Sequence, residues 1–140
     1  MSNLAKVYIF KIAATLLVWC IPLIFFSEQL LQSAGLPPQP NIFFLRLLGW
    51  AYLSLCVGYT FGLVEDLYGG YAPAPLWVGI VSNGGACVIL LYFACRGDWD
   101  QWGLLLKTIG YGSVAATALI TVGLFWFGVL SRKRRFLSDQ

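Results

Sequence analysis

Residues 76–95 read LWVGIVSNGGACVILLYFAC, an apolar run without one charged side chain. A bilayer's hydrocarbon core is roughly 30 Å thick and takes about 20 apolar residues per helix. This run has that length, and a soluble domain would have to bury it whole. Three more runs of the same kind flank it. The predicted helices cover about 7–31, 42–64, 76–95 and 102–130 of the 140 residues. The expected fold is therefore all-α: an integral membrane, up-down-up-down four-helix bundle in a single transmembrane domain, because short connections make neighbouring helices antiparallel.

Composition agrees. The chain is 59% hydrophobic and 11% charged, too apolar for a soluble domain of this size. The breaks between runs follow turn chemistry. Pro37, Pro38 and Pro40 with Gly35 interrupt the first connection. Gly69, Gly70, Pro73 and Pro75 interrupt the second. Asp98 and Asp100 lie in the third and are expected to cap the fourth helix, as Asn41 is expected to cap the second. Pro22 lies inside the first run, where a proline removes a hydrogen bond to the carbonyl of Val18 and kinks the helix. The first run has a basic start but is long and lacks an A-x-A site, so signal cleavage is not expected.

Charge placement predicts orientation. Lys6, Lys11, Arg132, Lys133, Arg134 and Arg135 fall on the side of the two ends, against Arg46, Arg96 and Lys107 on the other. The positive-inside rule then puts both termini in the cytoplasm. Lys11 and Arg46 are expected to snorkel to the interface. Trp77 and Trp126 on one side, and Trp99 and Trp102 on the other, form an aromatic belt that leaves Trp19 unexplained. No N-x-S/T sequon occurs, which fits a bacterial inner membrane.

Absences narrow the function. No histidine is present, so bis-histidine haem, a histidine metal site and a serine–histidine hydrolase are excluded. Every acidic residue lies in a connection or at an end, which argues against a proton-coupled pump. Cys20, Cys56, Cys87 and Cys95 form no C-x-x-C and read as small core residues. No basic stripe suits nucleic acid. No catalytic residue, metal or cofactor is expected.

Two features remain. Ser54, Gly58 and Gly62 recur every four residues on the second helix, a small-residue face that packs within the monomer or against another membrane protein or a second copy. Helix four carries a similar face around Gly110, Gly112 and Ser113, so the two are candidates to pack together. Asn83 is the most polar group in the middle of a run and must find a partner among Thr15, Tyr52, Tyr59, Thr60, Thr117 and Thr121. With Tyr52 and Tyr59 it is a candidate pocket for a lipid or quinone, with room left by Gly84 and Gly85.

The stretch Phe44-Leu45-Arg46-Leu47-Leu48-Gly49, followed by Val57-Gly58-Tyr59, resembles small four-span bacterial membrane proteins grouped as DoxX-like. Some of these are linked to quinone-dependent thiosulfate oxidation. The resemblance implies structural roles for Arg46, Gly49, Gly58 and Tyr59 and, for the chain, a redox accessory role. The leading expectation from the residues themselves is a non-enzymatic membrane subunit or scaffold. A carrier for a small lipid-soluble molecule is the alternative.

Overall fold

A computed structural model of the chain describes residues 1–38 and 40–131; the basic run Arg132, Lys133, Arg134 and Arg135 lies outside them. Among the described residues the fold is all-helical. Four helices are long and apolar enough to cross a membrane: Asn3–Phe25, Phe43–Leu67, Pro73–Cys95 and Leu104–Leu130. They are called the first to fourth helices below.

Each boundary has a local cause. The first helix begins before its apolar run because Ser2 is extended and its hydroxyl accepts from the Ala5 N–H at 2.9 Å, a side-chain N-cap. Its backbone widens into a π turn over Leu16–Cys20, where the Ile21 N–H reaches the Leu16 carbonyl. Pro22 follows immediately and has no N–H to give, so the ladder shifts register there. The helix does not continue to Leu31. Phe26 turns extended, and Ser27 starts a separate short helix, Glu28–Ser33, by accepting from the Leu30 N–H at 3.2 Å.

The second helix opens with Asn41 Oδ1 accepting from the Phe43 N–H at 2.9 Å and runs past Glu65 and Asp66 to Leu67. The third starts at Pro73 rather than Leu76, since a proline in the first turn lacks only an N–H that would be unpaired anyway. The fourth is preceded by Gly103, not capped by Asp98 or Asp100. Asp98 instead pairs with exposed Arg96 at 3.4 Å.

Three helix ends share one device. At Gly69 the N–H bonds Asp66 O at 3.2 Å, and the Gly70 N–H bonds Glu65 O at 2.8 Å. Gly97 with Asp98, and Gly35 with Leu36, repeat this Schellman pattern. It needs a left-handed residue at its centre, and these three glycines have φ of +80°, +79° and +98°.

Arg46 finds specific partners at a helix end. Its guanidinium reaches back to the end of the first helix and donates to Leu23 O at 2.7 Å and Phe26 O at 2.5 Å. Those carbonyls have lost their helical partners, and a forked cation satisfies both.

Each helix packs on its neighbours in sequence, and the fourth closes the ring against the first. The first and second helices make the most extensive contact, and the third and fourth the next. Gly128 lies against Leu76, Gly79 against Leu124 and Gly84 against Thr121, so numbers rise along one helix as they fall along the other. The small faces of the second and fourth helices do not pack together. Gly49 takes Leu23 and Ile24 of the first helix, Gly62 takes Pro75 and the Tyr8 ring, and Gly110 lies under the Trp99 ring.

Trp99 is not an interfacial anchor. It is 3% exposed, stacked on Trp102 at 5.0 Å and edge-on to Tyr111 at 5.0 Å. These rings, with Gly103 N–H bonded to Gly35 O at 3.2 Å, close one end of the bundle. At the other end Leu4, Tyr8, Tyr59, Leu76, Ile120 and Leu124 form the buried core.

Candidate functional site

Between those ends the bundle is hollow. A cavity of about 330 Å³ lies among all four helices, and the candidate residues Asn83, Tyr52 and Tyr59 all line it. So do Lys11, Thr15, Trp19 and Ser82. A second cavity of about 210 Å³ adjoins it on the side of Val18 and Ile109, sharing Thr15, Trp19, Asn83, Ser113 and Thr117 as wall.

The centre of the site is a pair that charge counting did not foresee. Lys11 is buried, not snorkelling, and its Nζ donates to Asn83 Oδ1 at 2.7 Å. The rise of an α-helix places it roughly 12 Å inside the first helix from Asn3, too deep for a short escape to the end. Its amine lies over the Tyr59 ring, 4.4 Å from the centroid, where the ring's negative face attracts a cation.

The acceptor side of the pair is held in turn. Asn83 Nδ2 donates to Gly79 O, one turn back on its own helix, at 2.5 Å. This fixes the amide with its oxygen toward Lys11. Tyr59 Oη and Ser82 Oγ share a hydrogen bond of 2.7 Å, and Ser82 also reaches Gly79 O at 3.3 Å. The expected partners for Asn83 are placed otherwise. Thr117 and Thr121 bond carbonyls of their own helix, and Thr60 faces outward and bonds Cys56 O.

Four polar wall residues make no side-chain hydrogen bond to any described residue: Thr15, Trp19, Tyr52 and Ser113. Trp19 and Tyr52 rest on each other with ring centroids 6.0 Å apart, which gives the odd tryptophan a place in the wall. The free groups of the four are two hydroxyls, an indole N–H and a phenol, all hydrogen-bond donors. The only ion pair among the described residues is Arg96 with Asp98, so no carboxylate answers Lys11. The cavity wall is rich in donors and carries one formal charge, a positive one.

The sequence singled out the asparagine and tyrosines as candidates, and the cavity they line also takes in Lys11 and Trp19. A signal existed. Tyr8, Lys11, Thr15 and Trp19 follow one another by three or four residues, so they share one face of the first helix.

The small-residue stripe of the second helix divides. Gly62 is buried against Tyr8 and Pro75. A Cβ on Gly58 would meet nothing within 4 Å, and Ser54 is exposed, bonding Trp50 O of its own helix. Four-residue steps drift about 40° each around a helix of 3.6 residues per turn, so the stripe turns from outside to inside. Cys20 and Cys56 are buried together where the first and second helices meet, both as free thiols.

No family model matches this chain, and no curated protein or solved structure does either.

Proposed function

We propose that the chain is a multi-pass protein of a bacterial inner membrane, an up-down-up-down bundle with both termini cytoplasmic. Its bundle binds one small lipid-soluble molecule, such as a quinone or a lipid, in the cavity around Lys11 and Asn83. One observation carries this reading. A lysine amine faces a cavity of about 330 Å³ halfway along apolar helices, held by an asparagine that spends both ends of its amide on fixed partners. An ionisable side chain inside a membrane is expensive, and those that persist usually serve a site. A purely structural cluster would have closed around its polar atoms. Here Thr15, Trp19 and Tyr52 keep donors available, and the volume matches the smaller ligand pockets of proteins.

The test is mass spectrometry of small molecules extracted with the purified protein. The wild type should release one species in stoichiometric amount, and Asn83→Leu should lower it. Equal recovery from both proteins would remove Asn83 from the site. The topology has its own test. Cys95 is exposed at the end of the third helix, so a membrane-impermeant maleimide should label it from outside intact cells. Protection there, with labelling only after lysis, would invert the orientation.

A second reading is favoured by Gly58. With Ser54, it leaves a shallow, unfilled place on the outer surface of the second helix, suited to close approach of another helix. The chain would then be a membrane subunit or scaffold as well, and Gly58→Leu should abolish co-purification of a partner or of a second copy.

A further inference from the structure

We infer that the occupant of the cavity is an anionic single-chain amphiphile, a fatty-acid-like carboxylate whose head meets Lys11 while its tail leaves between the second and third helices. The inference rests on the pocket reading above and adds the ligand's charge, its shape and its path of entry.

Charge comes first. Lys11 has Asn83 and the face of Tyr59 as partners, both electrically neutral, and no carboxylate lies within ion-pair distance of it among the described residues. A buried cation with only neutral partners leaves most of its desolvation uncompensated. A ligand carboxylate supplies the missing countercharge inside the same low-dielectric space. The remaining wall groups point to the same chemistry. Thr15, Trp19 and Tyr52 offer donors, and a carboxylate is a pure acceptor with room for several of them. A quinone carbonyl accepts too, but it brings no charge.

Depth and size fix the shape. Lys11 lies roughly 12 Å inside the first helix, so the headgroup of a two-chain phospholipid would have to leave the interface completely to reach it. A single-chain acid has a head small enough to do so. The cavity of about 330 Å³ takes the head and the first part of a chain, leaving the remainder in lipid.

The exit is visible in the packing. Ile89, a wall residue on the third helix, is 58% exposed, so the cavity reaches the outer surface there. The second and third helices also pack less extensively than the third and fourth. A tail leaving at Ile89 would lie among lipid chains.

The experiment uses the full chain in nanodiscs of neutral phosphatidylcholine, with three probes: palmitate, methyl palmitate and decylubiquinone. Binding is read by native mass spectrometry and by titration of tryptophan fluorescence. Wild type should bind one palmitate, and the uncharged ester should bind about tenfold or more weakly, the loss expected when a charge-assisted bond is removed. Lys11→Met should bind palmitate and ester alike, at the weaker value. Lys11→Met replaces a buried amine by an apolar chain of similar length, and circular dichroism checks that it folds. Should it not fold, Tyr52→Phe and Thr15→Val serve in its place, and each should weaken palmitate more than ester.

Equal binding of acid and ester by wild type would overturn the anion inference. So would tight binding of decylubiquinone with weak binding of palmitate. In both cases loss of that binding in Ala86→Phe, which fills the cavity, would leave the pocket reading standing. If none of the probes binds, or if Ala86→Phe binds them as wild type does, the pocket reading itself falls and this inference with it.

Discussion

The two halves of the bundle follow different rules. Toward the amino end of the first helix, Leu4, Tyr8, Tyr59, Leu76, Ile120 and Leu124 interlock, and glycines at 62, 79 and 128 let side chains of neighbouring helices seat on the backbone. Further along the same helices the side chains part around Lys11, Asn83, Thr15, Trp19 and Tyr52 and leave a cavity. In the bilayer setting proposed for this chain, lipid is as apolar as leucine, so burial alone would not drive helices together and close van der Waals packing would. The packed core, with the Trp99 closure at the opposite end, therefore holds the bundle, and the hollow middle is free to be shaped by something other than stability.

This contrast can be broken by substitution. Gly79→Leu should act most strongly. A Cβ there already comes within 2.6 Å of Leu124, and overpacking of this kind costs about 3 kcal/mol. Denaturant titration in detergent micelles would measure it, and an unchanged midpoint would mean that the third and fourth helices are not seated as described. Leu124→Ala should cost about 2 kcal/mol, the lower end for core leucines, because the transfer term is small when the reference is lipid.

In the hollow half the effects should be smaller and coupled. Asn83→Leu leaves the Lys11 amine without its acceptor and should cost about 1–2 kcal/mol. Lys11→Met on that background should restore most of the loss, since removing both partners of a buried bond can be nearly neutral. Additive losses in the double variant would show that the two residues do not act as a pair. Gly58→Leu should come last, changing stability by less than about 0.5 kcal/mol, because its added side chain meets nothing within 4 Å. A large loss there would place a neighbouring helix where the structure shows open surface.

Much of the architecture was legible in the sequence, and the reason is local chemistry. Run length announces four helices, and Gly35, Gly69 and Gly97 end three helices by supplying the left-handed residue of a Schellman motif. Asn83 was legible as inward-facing because an amide in an apolar run has to find a partner. Tyr52 and Tyr59, grouped with it in the sequence, line the same cavity. Which face of the first helix turns inward was legible only from the spacing of Tyr8, Lys11, Thr15 and Trp19, not from hydrophobic periodicity. In a helix that faces lipid on one side and apolar neighbours on the other, both faces are hydrophobic, so periodicity carries little information. Lys11 then reads as an interfacial anchor by the same rule that places lysines at helix ends. The partners of Arg46 were not legible for a related reason. The carbonyls that it satisfies, on Leu23 and Phe26, are exposed only because the first helix stops at Phe25, and that stop depends on Ser27 starting another helix. The spacing of Ser54, Gly58 and Gly62 showed a stripe but not its drift, which takes one end inside and leaves the other out.

The central claim is that the space around Lys11 and Asn83 exists to be occupied. Native mass spectrometry of wild type and Ala86→Phe, each extracted gently from the membrane in which it was made, tests this most directly. The account predicts a wild-type chain carrying one small molecule in stoichiometric amount and an Ala86→Phe chain without it. A bare wild-type chain, or the same added mass on both proteins, would contradict it.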